Sequence, residues 1–188
     1  MYRNDFMQPI KTLINWIQQN ASNEHYLFSL QDLRALCPDL SDAAFKTLLS
    51  RAVKLGYLER VCRGLYVYRA TDYSNGLLLF HAAAHLRSNE FNYISFETVL
   101  SEAGIISQIP MHSISIMSSG RSNKVSCGRF GTIEFIHTTQ KPVEIMEQLT
   151  YDKNCKLWRA SVRLALRDMK RTHRNCDLID WEMANELI

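Results

Sequence analysis

The stretch from Ser29 to Tyr68, SLQDLRALCPDLSDAAFKTLLSRAVKLGYLERVCRGLYVY, constrains the fold more than any other part of the chain. Ser29 has the chemistry to N-cap a short helix, with Asp32 three residues on as its capping-box partner. Cys37-Pro38 ends that helix, because a proline disfavours helical geometry in the residue before it. Ser41 caps a second, longer helix, and Asp42 suits its positive N-terminal end. That helix stops at Gly56. Two short strands follow, built on Leu58, Val61, Leu65 and Val67, and joined by a Cys62-Arg63-Gly64 turn. Helix, tight break, helix and hairpin, in this order, is a winged helix-turn-helix.

On a helical wheel, the second helix gathers Phe45, Leu48, Leu49, Ala52 and Leu55 on one side. The opposite side carries Lys46, Thr47, Ser50, Arg51 and Lys54, with no acid among them. Three cations on an exposed helix are often no more than a solvated surface. Followed by a hairpin with Arg63 at its tip, they fit a helix that enters the major groove of duplex DNA. Cations reach phosphates or guanine edges there, and hydroxyls reach either. A hairpin-tip arginine is suited to the DNA backbone. The competing use of such a module is protein contact alone.

At 188 residues the chain has room for one large domain or two small ones. We expect a winged-helix domain over residues 1–70 and an effector domain over 71–188, with Ala70–Asn75 as linker. Met1–Asn20 reads as an amphipathic helix that packs under the module. Its apolar face is Phe6, Ile10, Leu13, Ile14 and Ile17, and Pro9 lies in its first turn. The expected class is α+β, with a mixed α/β second domain holding a small antiparallel sheet. No apolar run approaches a membrane span and no signal peptide opens the sequence, so the expected setting is cytoplasmic, without membrane partners. Five widely spaced cysteines, with no Cys-x-x-Cys, agree with a reducing compartment and argue against zinc or a disulfide framework.

In the second half, Leu77–Arg87 reads as a buried helix. It sets His81 and His85 four residues apart, a chelating spacing with no third ligand in view, so we expect no metal there. Tyr93–Gly104 reads as a strand-like entry, a helix capped by Ser95 and a glycine stop. Ser113–Met117 and Thr132–His137 alternate as strands around a segment holding Arg121, Lys124 and Arg129. That segment is either a solvated hairpin turn or a second set of phosphate contacts. Lys156–Arg174 reads as a basic helix, with Trp158, Val162, Ala165, Leu166 and Met169 on one face. Arg159, Arg163, Arg167, Lys170, Arg171 and Arg174 lie on the adjacent face. Such a stripe is either kept for an anionic partner, nucleic acid first, or neutralised by acids such as Glu97, Glu102, Glu144 or Glu147. No catalytic motif emerges: there is no Walker loop, no Gly-x-Ser-x-Gly and no paired-carboxylate nuclease pattern. We therefore expect neither an enzyme nor a cofactor.

The chain resembles the AbiEi family, the antitoxins of type IV toxin–antitoxin systems. The resemblance rests on Arg63-Gly64-Leu65-Tyr66 closing the hairpin and on Tyr93-Ile94-Ser95-Phe96-Glu97-Thr98-Val99-Leu100 opening the second domain. Gly104-Ile105 and the strand pair around the basic turn at Ser113–His137 follow in order. The resemblance implies a winged helix that binds inverted repeats in its own double-stranded promoter and represses the operon. It also implies a C-terminal domain that counters a nucleotidyltransferase-like toxin without necessarily forming a stable complex with it. Carried over residue by residue, the recognition positions fall on Lys46, Thr47, Ser50, Arg51 and Lys54, and the wing on Arg63. The alternative is a winged-helix regulator whose second domain senses a ligand or dimerises, with no toxin partner.

Overall fold

Ser29 Oγ accepts the backbone N–H of Asp32 at 3.1 Å, and Asp32 Oδ2 accepts that of Ser29 at 2.8 Å, closing the expected capping box. This is a computed structural model that describes residues 8–107 and 112–188. The first unit comprises α1 (Gln8–Asn20), β1 (Leu27–Ser29), α2 (Leu30–Ala35), α3 (Asp42–Lys54), β2 (Leu58–Cys62) and β3 (Leu65–Tyr68). Its three strands form an antiparallel sheet in the order β1-β3-β2. Strand β1, not foreseen from the sequence, pairs Leu27 with Val67 and fixes the start of α2 against the hairpin. Ile10, Leu13, Ile14 and Ile17 of α1 join Leu33, Phe45, Leu48 and Leu49 in one core, so α1 packs under the module as expected. Phe6, assigned to the same apolar face, lies outside the described residues.

Leu55 departs from the expected core face, being 61% exposed. Helix α3 ends at Lys54, and Gly56 takes a φ of 78° just beyond, so Leu55 sits where the chain is already turning off the helical wheel. The chain divides into its two units between Gly76 and Leu77. Tyr73 stacks on Tyr26 with ring centroids 4.6 Å apart, which ties the connecting segment to the first unit.

The second unit holds α4 (Leu78–Leu86), β4 (Asn92–Ile94), α5 (Phe96–Glu102), β5 (Ser113–Ser118), β6 (Asn123–Ser126), β7 (Thr132–His137), α6 (Pro142–Ile145), β8 (Leu149–Asp152), β9 (Leu157–Ala160), α7 (Val162–Arg171) and α8 (Trp181–Glu186). The class is α+β, but the expected small antiparallel sheet is a six-stranded mixed sheet in the order β6-β7-β5-β4-β9-β8. β5 and β7 are parallel neighbours, as are β4 and β9. The hairpin expected at Ser113–His137 is therefore absent. The segment after β5 instead forms β6, which pairs antiparallel with β7, and β7 lies between β6 and β5. No helix among the described residues is long and apolar enough to cross a membrane.

Candidate nucleic-acid interface

Helix α3 buries Phe45, Leu48, Leu49 and Ala52 and leaves Lys46, Thr47, Ser50, Arg51 and Lys54 exposed. Its angle to α2 is held by Arg34, a residue with no clear mark in the sequence. The Arg34 guanidinium donates to the carbonyls of Cys37 and, at 2.7 Å, Leu40, lies over the Phe45 ring, and sits 3.6 Å from Asp42. The carbonyls of Cys37 and Leu40, in the connection between the two helices, thus find a charged donor. At the hairpin, Gly64 has a φ of 81°, as its tight turn requires, and its carbonyl accepts the N–H of Leu30 at 2.8 Å. That bond ties the tip carrying Arg63 to the first turn of α2.

Between α3 and the hairpin lies a groove of about 820 Å³. Lys46, Ser50 and Lys54 line one wall and Arg60, Arg63 and Tyr66 the other, with Leu49 and Val53 at its base; no acid lines it. Among the described residues, none of Lys46, Arg51, Lys54 and Arg63 is in an ion pair. The structure thus brings Lys46, Ser50, Lys54 and Arg63 to one groove. Thr47 and Arg51 do not line it, and lie one step around α3. The Thr47 hydroxyl donates to Ala43 O at 2.9 Å, which leaves its oxygen as an acceptor only. Arg60 is the residue that sequence reasoning missed. The signal available was its place in a strand pattern that breaks alternation: Val61 and Cys62 are both buried while Arg60 is exposed.

The C-terminal stripe comes apart. The segment expected as one helix is strand β9 followed by α7, because Ser161 caps α7 by accepting Leu164 N–H at 3.2 Å. Arg159, on β9, donates to Asp152 Oδ2 at 2.9 Å and pairs with Glu102. Arg174, beyond α7, donates to Glu97 at 2.7 Å and Glu134 at 2.9 Å and lies over the Phe96 ring. Those two arginines are held in ion pairs, with Glu97 and Glu102 from the expected acids and Asp152 and Glu134 in place of Glu144 and Glu147. Burial raises the Glu134 pKa, but the hydrogen bonds and charges of Arg174 and Lys124 outweigh it and hold the carboxyl below its ordinary value.

Arg163, Arg167, Lys170 and Arg171 remain exposed along α7. Arg163 donates to the Ile188 carbonyl and Arg167 to Gln140 Oε1, both at 2.9 Å, and Lys170 lies over the Trp181 ring. In the basic segment after β5, Lys124 pairs with Glu134 at 3.2 Å and Arg129 lies over Phe130. His81 is buried and its Nε2–H donates to the Asn154 carbonyl at 2.6 Å, whereas His85 is exposed. Burial pushes the Cys155 thiol up to about 12, so it stays protonated at neutral pH.

One centre had no sequence signal. Asp168 is fully buried on α7, where its Oδ2 accepts from Ser95 Oγ at 2.8 Å and Tyr93 OH at 3.1 Å. Its Oδ1 accepts from Gln140 Nε2 at 3.2 Å. Ser95 occupies the N-cap position of α5 but spends its hydroxyl on Asp168 instead of capping the helix.

Residues 17–69 match the family model described as transcriptional regulator, AbiEi antitoxin, a span that takes in β1, α2, α3 and the whole hairpin. The resemblance read from the sequence therefore holds over this segment. No curated protein matches the sequence. The fold is similar to the crystal structure of the RV2827C protein from Mycobacterium tuberculosis, with a TM-score of 0.55 and 9% identity, over 91% of this chain and 64% of that one. At that identity the likeness is one of fold, and this chain spans less than two thirds of the other's length.

Proposed function

We propose that this chain is a DNA-binding autorepressor and the antitoxin of a type IV toxin–antitoxin system. In this reading, residues up to Gly76 form a winged helix-turn-helix that binds double-stranded promoter DNA at inverted repeats. The observation that carries it is the acid-free groove whose walls bring Lys46, Lys54, Arg60 and Arg63 together. Lys46, Lys54 and Arg63 form no ion pair among the described residues, and a polyanion supplies such groups with a partner and gains affinity by counterion release. The match of residues 17–69 to the antitoxin regulators supports the same assignment. In this reading α3 enters the major groove with Lys46, Thr47, Ser50, Arg51 and Lys54, and Arg63 meets the backbone. The second unit opposes a nucleotidyltransferase-like toxin, with no catalytic step of its own.

A gel-shift titration with the DNA upstream of the chain's own reading frame tests this. The double variant Arg51→Ala/Lys54→Ala should lose promoter affinity while keeping its melting temperature. A base contact from Arg51 is worth about 1–3 kcal/mol of discrimination, and loss of a phosphate contact from Lys54 weakens binding on all sequences alike. Wild-type binding by the double variant would remove α3 from the interface. A second reading, a ligand-sensing regulator with no toxin, is favoured by one feature. The second unit contains a cavity of about 510 Å³ with Thr98, Ser115, Glu134 and Arg174 in its lining. Failure of the chain to relieve growth arrest by a toxin encoded beside it would favour that reading.

A further inference from the structure

We propose that the groove between α3 and the hairpin seats a single phosphodiester backbone, and that Arg60 is its fixed contact on the hairpin side. This rests on the reading of the first unit as a duplex-DNA binder and deepens it.

Strand β2 is irregular. Arg60 pairs with Tyr66, and Cys62 with the next residue, Leu65, so Val61 is the extra residue of a β-bulge. The bulge lets Val61 and Cys62 both turn inward, at 2% and 6% exposure, without carrying Arg60 in with them. In an unbroken strand, burying Cys62 would place Arg60 on the same inward face. Arg60 precedes the bulge and pairs with Tyr66, so the two share one face of the sheet and line the same wall of the groove.

The side chain is also oriented. Its Nε donates to the Cys62 carbonyl at 3.2 Å, across the bulge. That bond uses the inner donor and leaves the two terminal nitrogens for a ligand. A guanidinium held at Nε presents a planar fork that matches two phosphate oxygens. Tyr66, directly across the ladder, lines the same wall. Lys46 and Lys54 face them from α3. Cations on both walls with apolar Leu49 and Val53 at the base suit a narrow polyanionic strand, charged along both edges. Arg60 stands on a strand next to the core, whereas Arg63 stands on a turn. Arg60 should therefore act as a register-setting contact that reads no sequence.

The experiment uses the full chain and a mixed-sequence duplex, titrated by fluorescence anisotropy over a series of salt concentrations. Arg60→Gln should weaken binding by about tenfold at low salt, the scale of one lost charge-assisted hydrogen-bonded contact. The slope of log affinity against log salt should fall by about 0.9, the value for one phosphate. Arg60→Lys should keep the slope and recover part of the affinity. Arg60→Gln with Lys54→Gln should lower the slope by about twice as much. Arg69→Gln is the control: Arg69 follows the same hairpin, lies near Glu59 and does not line the groove, so its slope should be that of wild type. Melting curves of each variant separate lost contacts from lost structure, and Arg60→Lys keeps the test open should the glutamine variant misfold. A wild-type slope in Arg60→Gln, or an equal fall in Arg69→Gln, overturns the assignment to Arg60 while leaving DNA binding intact. Absence of duplex binding by the wild-type chain overturns the DNA reading itself.

Discussion

At the scale of single residues, the strongest commitment in the molecule is a buried carboxylate. Asp168 accepts from Tyr93, Ser95 and Gln140, and Arg167 donates to Gln140 beside it. Burial raises its pKa above the ordinary value, more than these donors and the Arg167 charge lower it. In the window between the unfolded and the raised folded pKa, the folded chain binds more protons than the unfolded one. Stability from this group therefore falls as pH rises through that window and is flat above it. Asp168→Asn removes the titration and keeps the shape. The urea midpoint of the variant relative to wild type should climb as pH rises from about 4, near the unperturbed value for aspartate. Any cost of re-pairing the amide is independent of pH and does not enter the slope. A difference that stays flat with pH, or that climbs as pH falls, would refute this account of the network.

At the scale of elements, the six-residue cationic stripe divides into two physically different sets. Arg159 and Arg174 are each about three-quarters buried and shared between two carboxylates. Removing Arg174 leaves Glu97 without its counter-ion and Glu134 with Lys124 alone, so Arg174→Gln should lower stability by about 2–4 kcal/mol in chemical denaturation, below the full cost of a wholly buried pair. Arg163, Arg167 and Lys170 are exposed and contact a carbonyl, an amide and a ring. Interactions of exposed cations are worth about 0–1 kcal/mol each. The triple variant Arg163→Gln/Arg167→Gln/Lys170→Gln should therefore melt within a few degrees of wild type. If the triple variant unfolds, or Arg174→Gln melts like wild type, this division is wrong.

The same contrast explains what was legible in the sequence. The caps at Ser29 and Ser41, the Gly64 turn and the α1 face are decided by neighbours within one or two turns of chain, and periodicity reads them. The parallel pairing of β4 with β9 and of β5 with β7 joins segments far apart in the chain, so alternation located the β5 and β7 strands but could not order them. Trp158 and Val162 fit one helical face on paper, yet Ser161 between them starts a new element. At the groove, α3 and Arg63 were visible as a cationic face and a hairpin tip. Arg60 was hidden because the groove it lines is closed by α3 and β3 together, and the broken alternation of β2 marks an irregular strand without showing what its residues face.

At the scale of the whole molecule, the chain is two units with separate cores, and the family match ends at residue 69, within the first. If repression belongs to the groove and toxin opposition to the second unit, the two activities should be separable by mutation. Arg51 and Lys54 belong to the first unit and the α7 cations to the second, and sites with no shared partners act independently in energy. Arg51→Ala/Lys54→Ala should release a reporter driven by the chain's own promoter, yet still restore growth to cells expressing the cognate toxin from an unrelated promoter. The α7 triple variant is expected to do the reverse: it should repress the reporter like wild type and fail to restore growth. The toxin must be expressed independently of the operon, because loss of repression would otherwise raise toxin levels and imitate a loss of opposition. Equal accumulation of both variants, measured in the same cells, removes instability as a common cause. Loss of both activities in either variant would mean that the second unit acts through promoter binding alone. Retention of growth restoration by the α7 variant would take the cationic face of α7 out of the antitoxin role and turn attention to the Glu134–Arg174 cavity of the same unit.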